Sequence, residues 1–326
     1  MPDLPKIVYF GSDAICLPGL RYLVERGRDL CELAAVVSQP DRRKGRGKKL
    51  QKNAVAAYAS TQSIQLLQPE NPDFVLGEWL RAQSITLAFV MAYGHYLPKT
   101  VREAPKHGML NFHGSVLPNY RGASPVETAI AMGDSKSGVC LMQVVKELDA
   151  GPVAECEYVS IESTDTGSTL RAKVGQAVVP LISRNLEASL RDGLEFSPQD
   201  ADHATFCRKI LKKDGALDFY QSAASIDARR RAFTPWPGSF FDHREMRIKI
   251  GYSSVAAMHL NRVPGTVLRV GKTLDIATSD GVLCIHELQR PTGRLMPVSD
   301  FLRGYEIVVG DVLASVPSVP LLVIRD

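Results

Sequence analysis

Asn111 and His113 stand one residue apart at the end of a short apolar run, Met109-Leu110-Asn111-Phe112-His113. In a strand, alternate side chains share a face, so the two should point the same way. The amide donates without ever charging, and the imidazole accepts or gives a proton near neutral pH. A third polar group, Asp149 in Lys146-Glu147-Leu148-Asp149-Ala150-Gly151-Pro152, could hold the ring in one tautomer. An Asn that caps and a His that packs beside it would produce the same triplet, so the chemistry depends on whether these groups meet. Gly-x-Ser-x-Gly is missing, and Ser115 follows the histidine in a non-helical turn, which disfavours a covalent acyl-enzyme. The histidines at 95, 107, 113, 203, 243, 259 and 286 include no His-x-x-x-His, so no metal is expected. The cysteines at 16, 31, 140, 156, 207 and 284 show no Cys-x-x-Cys and read as buried free thiols. Asn, His and Asp without a nucleophile suit direct transfer between two bound substrates, one presenting an acyl-type carbon and the other a free amine.

These groups need a scaffold that ends a strand at His113. Gly114, Pro118 and Gly122 break regular structure beyond it, which places the pair where a strand gives way to a loop. Lys6-Ile7-Val8-Tyr9-Phe10 reads as a buried strand, Leu17, Leu20, Leu23 and Val24 mark a helix, and Leu33 to Val37 a second strand. Strand, helix, strand implies a right-handed crossover and a parallel sheet. Gly-x-Gly-x-x-Gly is absent after the first strand, which argues against a nicotinamide or flavin cofactor. Helices are expected at 51–61, 72–83, 124–132 (capped by Ser124) and 166–190, and further strands at 64–67, 85–91, 139–145 and 153–161. The loops 92–98 and 114–122 then emerge from successive strands at one edge, where open α/β sheets bind ligands.

Residues 194–207, polar with Pro198, read as a linker between a domain at 1–193 and another at 208–326. In the second, a helical 222–233 precedes short stretches at 239–242, 246–251, 265–270, 274–278 and 282–288. Five short strands with Gly, Asp and Pro turns fit a small β-barrel of the oligonucleotide-binding type or an open sandwich.

Charge distribution points to a polyanionic partner. Residues 205–326 carry 17 Lys/Arg against 12 Asp/Glu, while residues 1–204 carry 22 against 23. Arg42, Arg43, Lys44, Arg46, Lys48, Lys49 and Lys52 add seven positive charges within eleven residues and no acid. Gly45 and Gly47 deny this segment a fixed helix, leaving a solvated loop or an arm that follows phosphates. Only 7% of the residues are aromatic, so extensive base stacking is not the first expectation. No apolar run approaches the roughly 20 residues that span a bilayer, and the N-terminus does not read as a signal peptide. A soluble cytoplasmic chain with no membrane partner is expected.

Asn111-Phe112-His113-Gly114-Ser115-Val116-Leu117-Pro118, Arg121-Gly122-Ala123-Ser124-Pro125 and Leu148-Asp149-Ala150-Gly151 together resemble the folate-dependent formyltransferases. Phe10-Gly11-Ser12, Gln39-Pro40-Asp41, Gly45 to Leu50, Ala92-Tyr93-Gly94, Arg231 to Gly238 and Phe301 to Gly304 extend the resemblance along nearly the whole chain, toward the family's branch that acts on methionyl-tRNA. The resemblance implies a Rossmann-like, open and mostly parallel sheet joined to a C-terminal barrel. It implies 10-formyltetrahydrofolate as donor, methionyl-initiator tRNA as acceptor, and a monomer. By the same likeness Asn111 and His113 would stabilise the oxyanion of a tetrahedral intermediate, and Asp149 would orient His113 and help move the proton. Tyr93, Gly94, Tyr96, Leu97, Gly114, Ser115, Leu117 and Pro118 would border the donor. Arg42, Arg43, Lys44, Arg46, Lys48 and Lys49 would meet the acceptor end of the tRNA. Glu127, Val116 and Pro152 depart from the family's usual residues, and none of these is a proposed catalytic group. Sugar-nucleotide formyltransferases, folate-binding hydrolases and catalytically silent RNA-binding proteins are the rival readings.

Overall fold

The computed structural model describes residues 4–44, 47, 49–258 and 261–324. Its contacts divide the chain into two compact units, neither continuous in sequence. One comprises Met1–Gly122, Lys136–Ser160 and Arg171–Phe206, the other Ala123–Ser135, Ile161–Leu170 and Cys207–Asp326.

In the first unit β1 (Lys6–Gly11) is followed by α1 (Leu17–Glu25) and β2 (Glu32–Val37). Ile7, Val8, Tyr9 and Phe10 are all fully buried, so both faces of β1 must be covered, as parallel sheets require. The basic segment forms a two-stranded antiparallel hairpin, β3 (Arg42–Lys44) and β4 (Lys49–Gln51), rather than an irregular loop. Beyond it lie α2 (Ala54–Thr61), β5 (Leu66–Leu67), α3 (Phe74–Ala82) and β6 (Ile85–Met91). Asn53 and Asp73 cap α2 and α3 through their side-chain oxygens, which accept from Ala56 and Leu76 N–H. A short α4 (Lys99–Arg102), β7 (Met109–His113) and two-residue β8 (Arg121–Gly122) come next. The unit ends with β9 (Lys136–Gln143) and β10 (Val153–Ser160).

The sheet runs β10-β9-β7-β6-β1-β2-β5. Strands β5, β2, β1, β6 and β7 are mutually parallel, whereas β9 runs antiparallel to β7 and β10 to β9. The sheet is therefore mixed. Strand order reverses between β1 and β6, so the crevice past Gly11 and Met91 is the switch point where such sheets accept ligands. Val90 pairs with Asn111, which sets the β7 site directly beside that crevice. Phe89 and Phe112 stack at 5.4 Å between the same two strands. Truncating either to Ala would cost about 3–5 kcal/mol and loosen the floor of the site.

Cys140 and Cys156 are joined by a disulfide, which corrects the expectation of free thiols throughout. They face each other directly across β9 and β10 with Cα atoms 4.1 Å apart, a register that sequence spacing does not reveal. Cys16, Cys31, Cys207 and Cys284 are buried thiols.

The second unit contains α5 (Pro125–Met132) packed on α7 (Ala223–Ala232). Ser124 occupies the cap position of α5, but its side chain makes no capping bond. The long α6 (Gly167–Leu190) is continuous through Pro180 and begins within this unit. After β11 (Phe206–Cys207), strands β12 (Ser239–His243) and β13 (Met246–Ile250) form a hairpin that joins β18 (Glu287–Gln289) and β19 (Met296–Pro297) in one four-stranded sheet. A second sheet takes β14 (Ser253–Ala256), β17 (Val282–Ile285), β16 (Leu274–Ala277) and β15 (Val267–Val270). Phe219, Phe241, Ile248, Leu274, Ile276 and Phe301 fill the core between these sheets and α8 (Val298–Leu302).

Candidate active site

Strand β7 delivers Asn111 half-buried and His113 buried. The His113 Nε2 atom lies 3.0 Å from the Tyr120 carbonyl. A carbonyl only accepts, so Nε2 carries the hydrogen and Nδ1 is the basic nitrogen of the neutral ring. Nδ1 in turn lies 3.6 Å from Asp149 Oδ2. The ring is thus held between a carbonyl and a carboxylate, which fixes its orientation.

Two loops must adopt unusual backbone to create this arrangement. Tyr120 and Asp149 have φ of 58° and 50°, the left-handed region that Asp tolerates better than bulky residues do. Asp149 Oδ2 accepts the Gly122 N–H at 2.8 Å, tying the two loops together. Ser115 Oγ donates to the Asn119 carbonyl at 2.6 Å, and the Leu117–Pro118 peptide is cis.

Bracing comes from the stretch read as a linker. Gln199 Nε2 donates to the carbonyls of Asp149 and Gly151 at 2.9 and 2.7 Å, and its Oε1 accepts from Arg121 Nε at 3.0 Å. Thr205 Oγ1 accepts the Tyr120 N–H at 2.8 Å, and its carbonyl accepts the Arg121 N–H at 2.8 Å. Burial lowers the affinity of the Arg121 guanidinium for its proton, and the nearby Asp149 charge opposes that shift. Sequence reasoning missed Gln199 and Thr205 because neither belongs to a periodic element. The one available signal is that a polar run without Gly-Ser repeats is poor flexible tether.

The loop after β6 shows a mixed lining. Tyr93 and Leu97 are buried with Phe10 and Val101, while Tyr96 is 66% exposed. Burial pushes the Tyr93 phenol up to about 12. The Tyr93 hydroxyl and His95 Nδ1 are buried without hydrogen-bond partners among the described residues, leaving polar capacity unused. Gly94 has φ +81° and is exposed. Ser115 is fully buried, and Leu117 packs against Cys140 and Met142. Gly114 and Pro118 flank these in the loop beyond β7.

Of the basic residues, Arg42, Arg43 and Lys49 are exposed on the hairpin. Arg46 and Lys48, with His259 elsewhere, lie outside the described residues. Among the described residues no group of three or more His, Cys, Asp and Glu could hold a metal ion, and no helix is long and apolar enough to cross a membrane.

Comparison with known proteins places this geometry in context. Residues 6–186 match the family model described as Formyl transferase, and residues 209–306 match Formyl transferase, C-terminal domain. The methionyl-tRNA formyltransferase of Sulfurihydrogenibium sp. (strain YO3AOP1) is 32% identical over 311 residues, which span 94% of this chain and 99% of that one. The methionyl-tRNA formyltransferase of Gluconobacter oxydans (strain 621H) is 37% identical over 308 residues, 94% of this chain and 98% of that one. An N-formyltransferase from Helicobacter canadensis, solved in complex with folinic acid and dTDP-3-aminofucose, shares the fold with a TM-score of 0.65 at 18% identity, over 88% of this chain and 100% of that one. With both halves matched and relatives above 30% identity aligned over almost their full length, the chain belongs to the formyl transferase family, in its methionyl-tRNA formyltransferase branch.

Proposed function

We propose that this chain is a methionyl-tRNA formyltransferase that moves the formyl group of 10-formyltetrahydrofolate to the free α-amino group of methionyl-initiator tRNA, for translation initiation. The observation that carries the reading is His113, held between the Tyr120 carbonyl and the Asp149 carboxylate on the strand that also presents Asn111. The bound donor supplies an electrophilic formyl carbon. Attack by the amine moves the carbonyl electron pair onto oxygen, and the Asn111 amide donates to that developing charge. The ammonium proton leaves to the His113 and Asp149 pair and returns to the folate nitrogen as its bond to the formyl carbon breaks. No nucleophilic side chain and no metal is called for.

Donor contacts are assigned to Tyr93, Gly94, Tyr96, Leu97, Gly114, Ser115, Leu117 and Pro118, supported by the unused polar atoms of loop 92–98 beside β7. Acceptor contacts are assigned to Arg42, Arg43, Lys44, Arg46, Lys48 and Lys49, supported by their charge and by the exposure of those described. A catalytic domain over 1–193, a linker over 194–207 and a barrel-like tRNA-binding domain over 208–326 fit the two family matches at 6–186 and 209–306. A monomer in the cytoplasm suits this function.

The test is incubation with 10-formyltetrahydrofolate labelled in the formyl carbon and, separately, methionyl-initiator tRNA, methionyl-elongator tRNA and an amino sugar nucleotide. Label should pass to the initiator tRNA. Transfer to the sugar alone, or release as formate, would replace this reading with one of its rivals.

A further inference from the structure

The polar residues at the carboxyl ends of β1, β2 and β6 are not isolated caps. They form one connected system, and Gln39 is at its centre. Its backbone N–H donates to Ser12 Oγ at 3.0 Å, and its carbonyl accepts from Asn53 Nδ2 at 3.0 Å and Gln68 Nε2 at 2.9 Å. Gln68 Nε2 also reaches Asp41 Oδ1 at 2.8 Å, and Ser38 Oγ donates to Asn53 Oδ1 at 3.0 Å. Gln39 and Asn53 flank the basic hairpin in sequence, so these bonds pin both of its roots. The side chain of Gln39 leaves in the other direction. Its Nε2 donates to the Tyr93 carbonyl at 2.8 Å, inside the loop that closes β6, where Ser12 Oγ adds a longer bond at 3.3 Å.

We infer that Gln39 is a positioning residue that couples the two substrate loops, so that a folate ordering loop 92–98 also orders the root of the hairpin that meets the tRNA. The inference rests on the assignment of donor and acceptor loops given above. Its physical basis is that the Gln39 side chain joins the two loops directly and by the shorter bond, 2.8 Å against the 3.3 Å of the indirect link through Ser12 Oγ. A ligand that fixes the Tyr93 carbonyl fixes the Gln39 amide, and the second ligand then meets a hairpin whose root is already ordered. The coupling must be positive and reciprocal. Gly94 supports the closeness of this joint. A Cβ built there would stand 2.6 Å from Gln39 Nε2, so an alanine at 94 would press on the same bond from the opposite loop.

The experiment measures the affinity of deacylated initiator tRNA with and without saturating folinic acid, an unreactive donor analogue, and the affinity of folinic acid with and without that tRNA. In the wild-type chain each ligand should tighten the other by about 5-fold or more. Gln39→Met keeps the length of the side chain but loses its amide, and should bring the factor close to 1 while leaving each ligand's separate affinity within about 3-fold. A purely structural role would lower stability or both affinities without touching the factor. Hydrogen exchange on the wild-type chain supplies an arm that needs no variant: folinic acid alone should slow exchange at 39–44 and 49–53 as well as at 92–98. An unchanged factor in Gln39→Met, equal affinities alone and together in the wild type, or slowing confined to 92–98 would each overturn the coupling. Failure of folinic acid to bind the wild-type chain would instead overturn the functional reading beneath it.

Discussion

Asn111 is the residue whose loss should separate binding from chemistry most cleanly. A donor to the developing oxyanion acts mainly in the transition state, so Asn111→Ala should lower kcat by about 10²-fold or more and leave KM for tRNA nearly unchanged. Near-normal turnover in a folded variant would remove the role. His113 and Asp149 should behave as a unit, because the carboxylate lies 3.6 Å from the ring nitrogen that takes the proton. The rate loss of His113→Ala combined with Asp149→Ala should be much smaller than the product of the single losses, and independent effects would mean separate roles. Gln199 offers a third test. Gln199→Glu keeps an acceptor for Arg121 but cannot donate to the Asp149 and Gly151 carbonyls, so kcat should fall about 10- to 100-fold with KM for tRNA unmoved. Full activity in Gln199→Glu would show that the loop holds its shape unaided. The spacing of Asn111 and His113 was readable because strand periodicity is a local property. Gln199 was not, since its partners are carbonyls exposed by the left-handed turn at Asp149.

At the level of elements, apolar runs such as Ile85 to Met91 announced the sheet strands, whereas the cap at Asn53 set the start of α2 three residues beyond the expected 51. The basic hairpin gave no such signal. Strand β3 carries charge at three successive positions and β4 is only three residues long, so neither shows an alternation that betrays pairing, and adjacent Ser253 and Ser254 deny β14 an apolar pattern. Neutralising Arg42, Lys44, Lys48 and Lys49 together should flatten the slope of log affinity for tRNA against log salt by about 3 to 4, with folate binding retained. An unchanged slope would move tRNA recognition to the second unit. The β12–β13 turn makes a different demand. Arg244 and Glu245 hold φ of 46° and 65°, and such paired left-handed positions favour Asn-Gly. Glu245→Gly should therefore stabilise the second unit by about 1 kcal/mol, read as a raised denaturant midpoint; a lowered midpoint would mean that the turn is not strained.

For the molecule as a whole, compact units do not follow the order of the chain: 123–135 and 161–170 cluster with 207–326, α5 lying against α7. No run of residues encodes a contact that far along the chain. Asp214, paired with Arg208, contributes to the acid response of the second unit. Burial pushes its carboxyl up, but Arg208, at 2.7 Å, and the Leu211 N–H outweigh that, so the folded group sits below the ordinary aspartate range. Its contribution to stability is complete above the unfolded pKa of about 3.9 and is lost as pH falls through the lower folded value. The stability gap between wild type and Asp214→Asn should therefore narrow on acidification, and a constant gap would refute the assignment. The bond between Cys140 and Cys156 has a wider consequence, since Asp149 rides on the chain between them and is thereby carried on a covalent ring. The backbone ladder of β9 and β10 keeps the two sulfurs opposed whether or not they are joined. Each molecule thus keeps a record of the compartment it was made in: alkylation after denaturation would label six thiols in chains from a reducing cytoplasm and four in chains where the ring has closed.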